Sequence, residues 1–353
     1  MVNLQSKPHF EILDGLRGVA AISIVVFHFL EFVYPDYSEN FLGHGFLAVD
    51  FFFCLSGFVI GYAYDDRIRT IGVWQFFKAR LIRLHPLVLL GSVLGLIGFF
   101  IDPFANSWET YNTIELVLIF LTSVFLIPYP VMAERGFGLF GLNTPSWSLF
   151  FEYMANIFYA LFLYKISRRT LWTLWGIAGL GLCLASYRAG TLIGGWDKSS
   201  FWDGCARISY SFLAGLLIFR SKWLVKTRIG FIGLSILLLL ALLVPYFSWN
   251  WLMEALIVLF YFPLLIVLGK GTALNAGFKS VCVFFGNLSY PLYMTHIPMI
   301  WIFGSYYTTH EVSTAQLSWM IILGTAFSMG LAYVAMVFYD TPVRKYWQIK
   351  QGL

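Results

Sequence analysis

Long apolar segments recur along almost the whole chain, from residue 13 to residue 338. Most have roughly 17 to 25 residues, which as a helix is long enough to cross a hydrocarbon layer about 30 Å thick. Runs such as GFIGLSILLLLALLV are apolar on every side, whereas a membrane β-barrel needs short strands of alternating apolar and polar residues. The pattern therefore predicts an all-α, polytopic helical membrane bundle. The predicted segments are residues 13–33, 46–63, 85–101, 113–129, 147–164, 170–186, 204–219, 229–247, 251–268, 282–303 and 316–338.

The composition agrees with a membrane domain. Hydrophobic residues make up 59% of the 353 residues and charged residues only 12%, against roughly a quarter charged in an ordinary soluble domain. No small-residue cleavage site follows the first apolar run, so we expect no cleavable signal peptide. The net charge of +5 is scattered between apolar runs, which argues against a nucleic-acid partner. The four cysteines form no CxxC pair and lie in or beside apolar runs, so no metal site is predicted.

Basic clusters in the loops set the predicted topology, because Lys and Arg are enriched in cytoplasmic loops. The cluster that ends at Arg83 and the cluster that starts at Lys165 both require the cytoplasm, yet three apolar segments separate them. An odd number of segments cannot all cross. We therefore expect segment 113–129 to be re-entrant or peripheral, since prolines and glycines in its continuation break helices. The prediction is ten transmembrane helices in one membrane-embedded domain over residues 1–353, with both termini cytoplasmic and no appended soluble domain.

Polar residues inside the predicted spans need a reason, because a charge at the bilayer centre costs at least about 2.5 to 3.5 kcal/mol. Arg17 and His28 share the first span, roughly 16 Å apart along the helix axis. Arg17 is thus expected near the cytoplasmic entrance and His28 in the outer half of the membrane. The polar residues of other spans that reach about the depth of His28 are Asp50, Glu152, Arg207, Tyr293 and His296. Convergence of several helices at one depth predicts a site there.

Each of these residues also has a structural explanation. A single polar residue near the interface can be satisfied by headgroups or by one neighbour. His28, between Phe27 and Phe29 in an apolar helix, could simply donate a hydrogen bond to a backbone carbonyl. Only the shared depth of several residues favours function over structure.

Arg80 and Arg83 form a second candidate site, on the cytoplasmic side. They lie three residues apart in KARLIRLHP, which puts them on one face of a helix that leads into the membrane. Such a pair can bind phosphate groups. The alternative is ordinary anchoring by positive charges in a cytoplasmic loop.

Five blocks of sequence carry a family resemblance: LDGLRGVAAISIVVFH, GFLAVDFFFCLSGFVIG, FKARLIRLHP, PSWSLFFEYMANIFY and FFGNLSYPLYMTHIP. In this order they resemble the acyltransferase 3 family of integral-membrane O-acyltransferases over nearly the whole chain. The resemblance implies transfer of an acyl group, commonly acetyl, from CoA to a hydroxyl of a cell-surface glycan or lipid-linked sugar. The essential Arg and His of the family fall on Arg17 and His28. His85, before the proline of RLIRLHP, departs from the expected pattern and has no assigned role.

The depth argument and the resemblance together predict a division of labour. The co-substrate acyl-CoA, most simply acetyl-CoA, is expected at the cytoplasmic face, with its phosphates on Arg80, Arg83 and Lys78 and its pantetheine arm passing Arg17 and Ser56. His28 is the expected general base, because its ordinary pKa lies near neutrality. Asp50 or Glu152 is expected to orient it, as the third member of a triad does. Arg207, Tyr293 and His296 are the expected acceptor-binding residues.

The remaining expectations concern partners and rival functions. The acceptor is expected to be a carbohydrate or lipid-linked glycan, and the protein to lie among membrane lipids in the bacterial inner (cytoplasmic) membrane. Whether it forms a homo-oligomer, and whether transfer is direct or passes through an acyl-histidine, stays open. The main alternative is a transporter or flippase of a lipid-linked sugar, which predicts inverted repeats that the sequence does not display. A receptor or scaffold would not need a histidine and two carboxylates at one depth.

Overall fold

The computed structural model describes residues 9–351, and the regular elements within that range are all helices. Short π-helical turns join α9 to α10 and α13 to α14. Isolated bridges apart, no β-structure occurs in the same range. The helices are α1 (Glu11–Val33), α2 (Ala48–Tyr64), α3 (Ile68–Ile101), α4 (Thr113–Val124), α5 (Ser146–Leu161), α6 (Arg168–Ala189), α7 (Phe201–Arg220), α8 (Gly230–Leu242), α9 (Asn250–Leu256), α10 (Phe262–Gly271), α11 (Ala276–Thr295), α12 (Ile297–Thr309), α13 (Thr314–Ala335) and α14 (Thr341–Gln351).

Six helical stretches of the described chain are long and apolar enough to cross a membrane. This confirms the predicted all-helical membrane protein, while the count of ten crossings and the side of the two termini stay predictions. The helix α8, with 13 residues, reaches about 20 Å, which is less than the thickness of the hydrocarbon layer. The six stretches are Glu11–Val33, Gly45–Tyr64, Ile68–Ile101, Arg168–Ala189, Asn250–Gly271 and Thr314–Gln351.

Two helix pairs form the centre of the bundle, α1 with α11 and α2 with α7. The α2–α7 pair depends on two glycines, Gly57 and Gly215. A Cβ at Gly57 would collide with the carbonyl oxygen of Phe212, and a Cβ at Gly215 with that of Cys54. Small residues let helix backbones approach this closely, which is how helices gain packing energy inside a bilayer. The two backbones therefore lie in direct contact.

A buried ion pair fixes α7 against α2. Both Arg207 and Asp50 are fully buried, and Nη2 of Arg207 lies 2.6 Å from Oδ2 of Asp50. Nε also donates to this carboxylate, and the remaining N–H groups reach backbone carbonyls of Phe46, at 3.1 Å, and of Ile193 and Gly194, at 3.4 and 2.8 Å. Every N–H of the guanidinium thus has an acceptor within the protein, which is what a charge in a low-dielectric interior requires.

The segment around α4 packs against α3, where Ser92 and Ser123 share a buried hydrogen bond of 2.9 Å, and its two ends lie close together. Asn112 and Glu115 form a capping box that starts α4, and its 12 residues reach only about 18 Å. The chain then turns at Leu126, where φ is +53°. The hydroxyl of Tyr111, before the helix, donates to Glu134, after it, at 2.8 Å. The two ends of the segment therefore lie together, while its re-entrant or peripheral placement in the membrane stays a prediction.

Arg207→Ala should destabilise the protein by about 3 to 5 kcal/mol, because it leaves the Asp50 carboxylate buried without a counter-ion. Unfolding of the purified protein in detergent measures this. Lys279→Ala is the matched control: Lys279 also pairs with a carboxylate, that of Glu11, but the two side chains are 65% and 21% exposed, so a loss below about 1 kcal/mol is expected. Equal stability of the two variants would show that the buried pair does not hold the bundle together.

Cysteines introduced as Glu109→Cys and Ala133→Cys, in a chain whose native cysteines are replaced by alanine, should react with an impermeant thiol reagent from the same side of the membrane. Both positions are exposed and flank the returning segment. A cysteine at the exposed Arg69, in the first turn of α3 and within a basic cluster, should react from the opposite side. Reaction of the first two from opposite sides would show that the segment crosses the bilayer.

Candidate active site

Two cavities lie back to back inside the bundle. The arginine cavity is lined by Arg17, Ser56, Arg80, Arg83, Glu152 and Tyr290, and the histidine cavity by His28, Glu31, Tyr37, Trp147, Trp196 and Trp301. Val49 and Tyr293 line both cavities. The partition between the arginine cavity and the histidine cavity is therefore only one or two side chains thick.

His28 in the histidine cavity has a carboxylate partner on its own helix. Its Nδ1 contacts the carboxylate of Glu31, three residues later, and the other oxygen of that carboxylate accepts a hydrogen bond from Tyr37 at 2.9 Å. Burial, and then the neighbouring Glu31 charge, raise the pKa of the Tyr37 phenol well above its ordinary value, so it acts as a donor. A carboxylate at Nδ1 selects the tautomer with its proton there and leaves the Nε2 lone pair free.

The expected supporting carboxylates of His28, Asp50 and Glu152, lie elsewhere. Asp50 is committed to Arg207, and Glu152 accepts from Arg80 at 2.7 Å and from Ser56 at 2.8 Å. Depth along a span was a misleading signal here, because residues at one depth can face different neighbours. The partner that we missed has a sequence signal: a Glu three residues after a His in FHFLEF lies on the same helix face.

Two of the three expected acceptor-binding residues do lie at His28. The ring of His296 stacks on the ring of His28, with centroids 5.3 Å apart and planes 24° apart. Its Nδ1 lies 2.9 Å from the carbonyl oxygen of Leu292, so that nitrogen carries the proton. Tyr293, in the partition, forms a hydrogen bond of 2.7 Å with Ser148. Arg207 differs, since all of its N–H groups are used by the protein.

In the arginine cavity, Arg17 is held in place by its own neighbours. Nε donates to Ser289 at 2.8 Å, one Nη donates to the carbonyl of Gly286, and Asp14 lies 3.2 Å away. Arg83 lines the same cavity, and no ion pair of its guanidinium is found within residues 9–351. The cavity thus has a surplus of positive charge on a partly solvated surface, which suits an anion.

Lys78 and His85 lie outside the walls of the two cavities. Lys78 donates to Gln351 of α14 at 3.1 Å and lies 5.5 Å from the ring centroid of Trp74. The predicted contact of Lys78 with the phosphate site is therefore not part of the observed cavity wall. The ring of His85 lies edge-on to Tyr153, and its Nδ1 is buried without a partner in the described chain.

A third polar cluster, which the sequence did not indicate, supports one wall of the histidine cavity. His44 and Glu254 are both fully buried, 3.4 Å apart, and Asn250 bridges them. Glu254 also accepts from Thr191 at 3.0 Å, at the start of the loop that carries Trp196. This cluster and the Arg207 pair hold that loop from two sides.

Comparison with known proteins gives one family. A family model described as "Acyltransferase domain" matches residues 10–337. "Protein 2 in picA locus" of Rhizobium radiobacter is 37% identical over 167 residues, which are 44% of this chain and 84% of that protein. "O-acetyltransferase OatA" of Staphylococcus aureus is 26% identical over 368 residues, which cover 94% of this chain. The chain spans 57% of the length of that Staphylococcus aureus relative. No solved structure matches.

Proposed function

The chain belongs to the acyltransferase 3 family, and on that premise we propose that it moves an acyl group from cytoplasmic acyl-CoA to a hydroxyl of a cell-surface carbohydrate or lipid-linked glycan. Acetyl is the proposed group, since a relative that aligns with 94% of the chain is named an O-acetyltransferase. The observation that carries the proposal is the pair of cavities that meet at Val49 and Tyr293. One has the charge for a phosphate-bearing donor, and the other has the base for an acceptor hydroxyl.

On the donor side, the arginine cavity supplies guanidinium groups for the phosphates of CoA. Arg80 and Arg83 point the planar donor groups of α3 at the same space, and guanidinium suits phosphate because it can donate two parallel hydrogen bonds. Arg17, fixed by Gly286 and Ser289, lines the same cavity. The thioester at the end of the pantetheine arm would then reach the partition at Tyr293.

On the acceptor side, His28 performs the proton transfers. Its Nε2 takes the proton of the acceptor hydroxyl as the oxygen attacks the thioester carbon, and the imidazolium returns that proton to the departing CoA thiolate. Glu31 stabilises the imidazolium at Nδ1 and keeps the ring in place, with Tyr37 holding the carboxylate. An acyl-histidine route would use the same Nε2 as a nucleophile.

The walls of the histidine cavity favour a carbohydrate acceptor. Trp147, Trp196 and Trp301 line it together with Phe46 and Tyr37. Aromatic faces bind the apolar C–H faces of sugar rings, while the indole N–H and phenol groups serve the hydroxyls. Mass spectrometry of surface glycans from cells with and without the gene tests this acceptor class and names the acyl group. Identical glycan masses in the two strains would contradict the proposal.

His28→Ala should abolish acyl transfer and leave acetyl-CoA affinity unchanged, because the phosphate site lies in the other cavity. Glu31→Gln should lower turnover by about 10²-fold or more, since the ring loses its orienting charge. Turnover and binding are measured with labelled acetyl-CoA on the purified protein. Glu39→Gln, an exposed carboxylate in the same loop region, is the control and should behave as the unmodified protein. Normal turnover of His28→Ala would refute the mechanism.

Arg80→Ala combined with Arg83→Ala should weaken acetyl-CoA binding by about tenfold or more, because charge-assisted hydrogen bonds contribute about 1.5 to 3 kcal/mol each. Isothermal titration in detergent or nanodiscs measures the affinity. Arg168→Ala with Arg169→Ala removes the same charge from an exposed pair at the start of α6 and should leave binding unchanged. Equal affinities for the two double variants would reduce Arg80 and Arg83 to membrane anchors.

A further inference from the structure

Glu152 is the one carboxylate in the wall of the arginine cavity. It forms an ion pair with Arg80, one of the arginines proposed to bind the phosphates of acyl-CoA. Its Oε1 accepts from Nη2 of Arg80 at 2.7 Å and from Oγ of Ser56 at 2.8 Å. The two side chains of the ion pair are 12% and 21% exposed, so solvent and ligands can reach them. A pair of this kind is easier to open than the fully buried pair of Arg207 and Asp50.

Arg80 has no alternative acceptor in the described chain. Its Nε is buried without a hydrogen-bond partner, and Glu152 is the acceptor that its Nη groups reach within residues 9–351. Arg17 differs, because Ser289, Gly286 and Asp14 already hold it. Arg80 is thus the arginine of this cavity that forms an ion pair with a carboxylate of the cavity wall.

A phosphate and a carboxylate use the same donor geometry of a guanidinium. An incoming phosphate must therefore compete with Glu152 for Arg80. We propose that Glu152 is an exchangeable counter-ion of Arg80, which a phosphate group of CoA displaces on binding and which returns to expel CoA after transfer. This rests on the proposed function of the arginine cavity. The hydrogen bond from Ser56 keeps the displaced carboxylate on the cavity wall, where its charge repels the bound phosphates and weakens their binding.

If Glu152 is a counter-ion, its removal should strengthen CoA binding. Removal of a residue that contacts the ligand would weaken CoA binding instead, and removal of a catalytic acid would leave it unchanged. Glu152→Gln keeps an oxygen for Ser56 and removes the competing charge. The variant should bind CoA about three- to tenfold more tightly. Both KM for acetyl-CoA and kcat should fall together, because a product that is held more tightly leaves more slowly.

A double-mutant cycle tests the proposal on the purified full chain, with CoA titrated into the unmodified protein, Glu152→Gln, Arg80→Ala and the double variant. Glu152→Gln should tighten binding in the unmodified background and change it less than about twofold when Arg80 is alanine. Glu31→Gln is the matched control, since it removes the same charge from the histidine cavity and should leave CoA affinity unchanged. Melting temperatures of all variants establish that they are folded.

If the unmodified protein binds CoA, weaker or unchanged CoA binding in Glu152→Gln would overturn the counter-ion role. A second titration with inorganic pyrophosphate separates this result from a failure of the proposed function. If Glu152→Gln tightens pyrophosphate binding while no variant binds CoA, the counter-ion role stands and CoA is not the donor. If pyrophosphate binding is also unaffected by the substitution, the counter-ion role is wrong.

Discussion

A guanidinium in the interior of a membrane protein has to find an acceptor for every N–H group, and Arg207 meets this requirement with groups from several segments. Its acceptors come from α2, from the turn before α2 and from the loop after α6. Because each acceptor lies within hydrogen-bond distance of one planar group, the positions of these segments are fixed relative to α7. One wall of the histidine cavity is built on this arrangement, since Phe46, Ile193 and Trp196 belong to the same segments.

The contrast between saturated and unsaturated polar groups separates structural residues from candidate functional ones. Arg207 and Asp50 are fully buried, and every N–H of Arg207 has an acceptor, so a substrate has nothing left to bind there. His28 and Glu31 are 22% and 25% exposed, and Nε2 of His28 has no hydrogen-bond partner in the described chain. Burial adds rigidity, whereas remaining hydrogen-bonding capacity at a cavity wall allows chemistry.

Much of the fold follows from the sequence because a membrane leaves few structural options. Long apolar runs have to become helices, and α1 and α13 follow their predicted segments closely. The prediction that the segment around α4 is re-entrant or peripheral rests on the charge of its flanking loops. The π-helical turns at Ile257–Tyr261 and Met336–Asp340 had no signal in the apolar pattern, since a π-turn changes backbone bonding without changing side-chain composition.

The candidate site was only partly predictable, for a different reason. Depth along a helix is one coordinate, and the sequence supplies it well enough to bring His296 and Tyr293 to His28. The pairing of side chains also depends on the rotation of each helix about its axis, which long-range packing decides. Asp50 faces Arg207 and Glu152 faces Arg80 for this reason. Glu31 was not predicted, although its contact with His28 is local and follows from their spacing of three residues on one helix.

The thin partition between the cavities explains how one helix can serve both ends of the proposed reaction. Arg17 and His28 lie roughly 16 Å apart on α1, one in each cavity, so the phosphates and the base stay at separate depths. A charged nucleotide placed near the bilayer centre would carry a large desolvation cost. In the proposed mechanism only the uncharged thioester has to reach the level of Tyr293. The hydroxyl of this residue bonds to Ser148 across the interface between α11 and α5, so the partition between the two cavities consists of this hydrogen-bonded side chain and that of Val49.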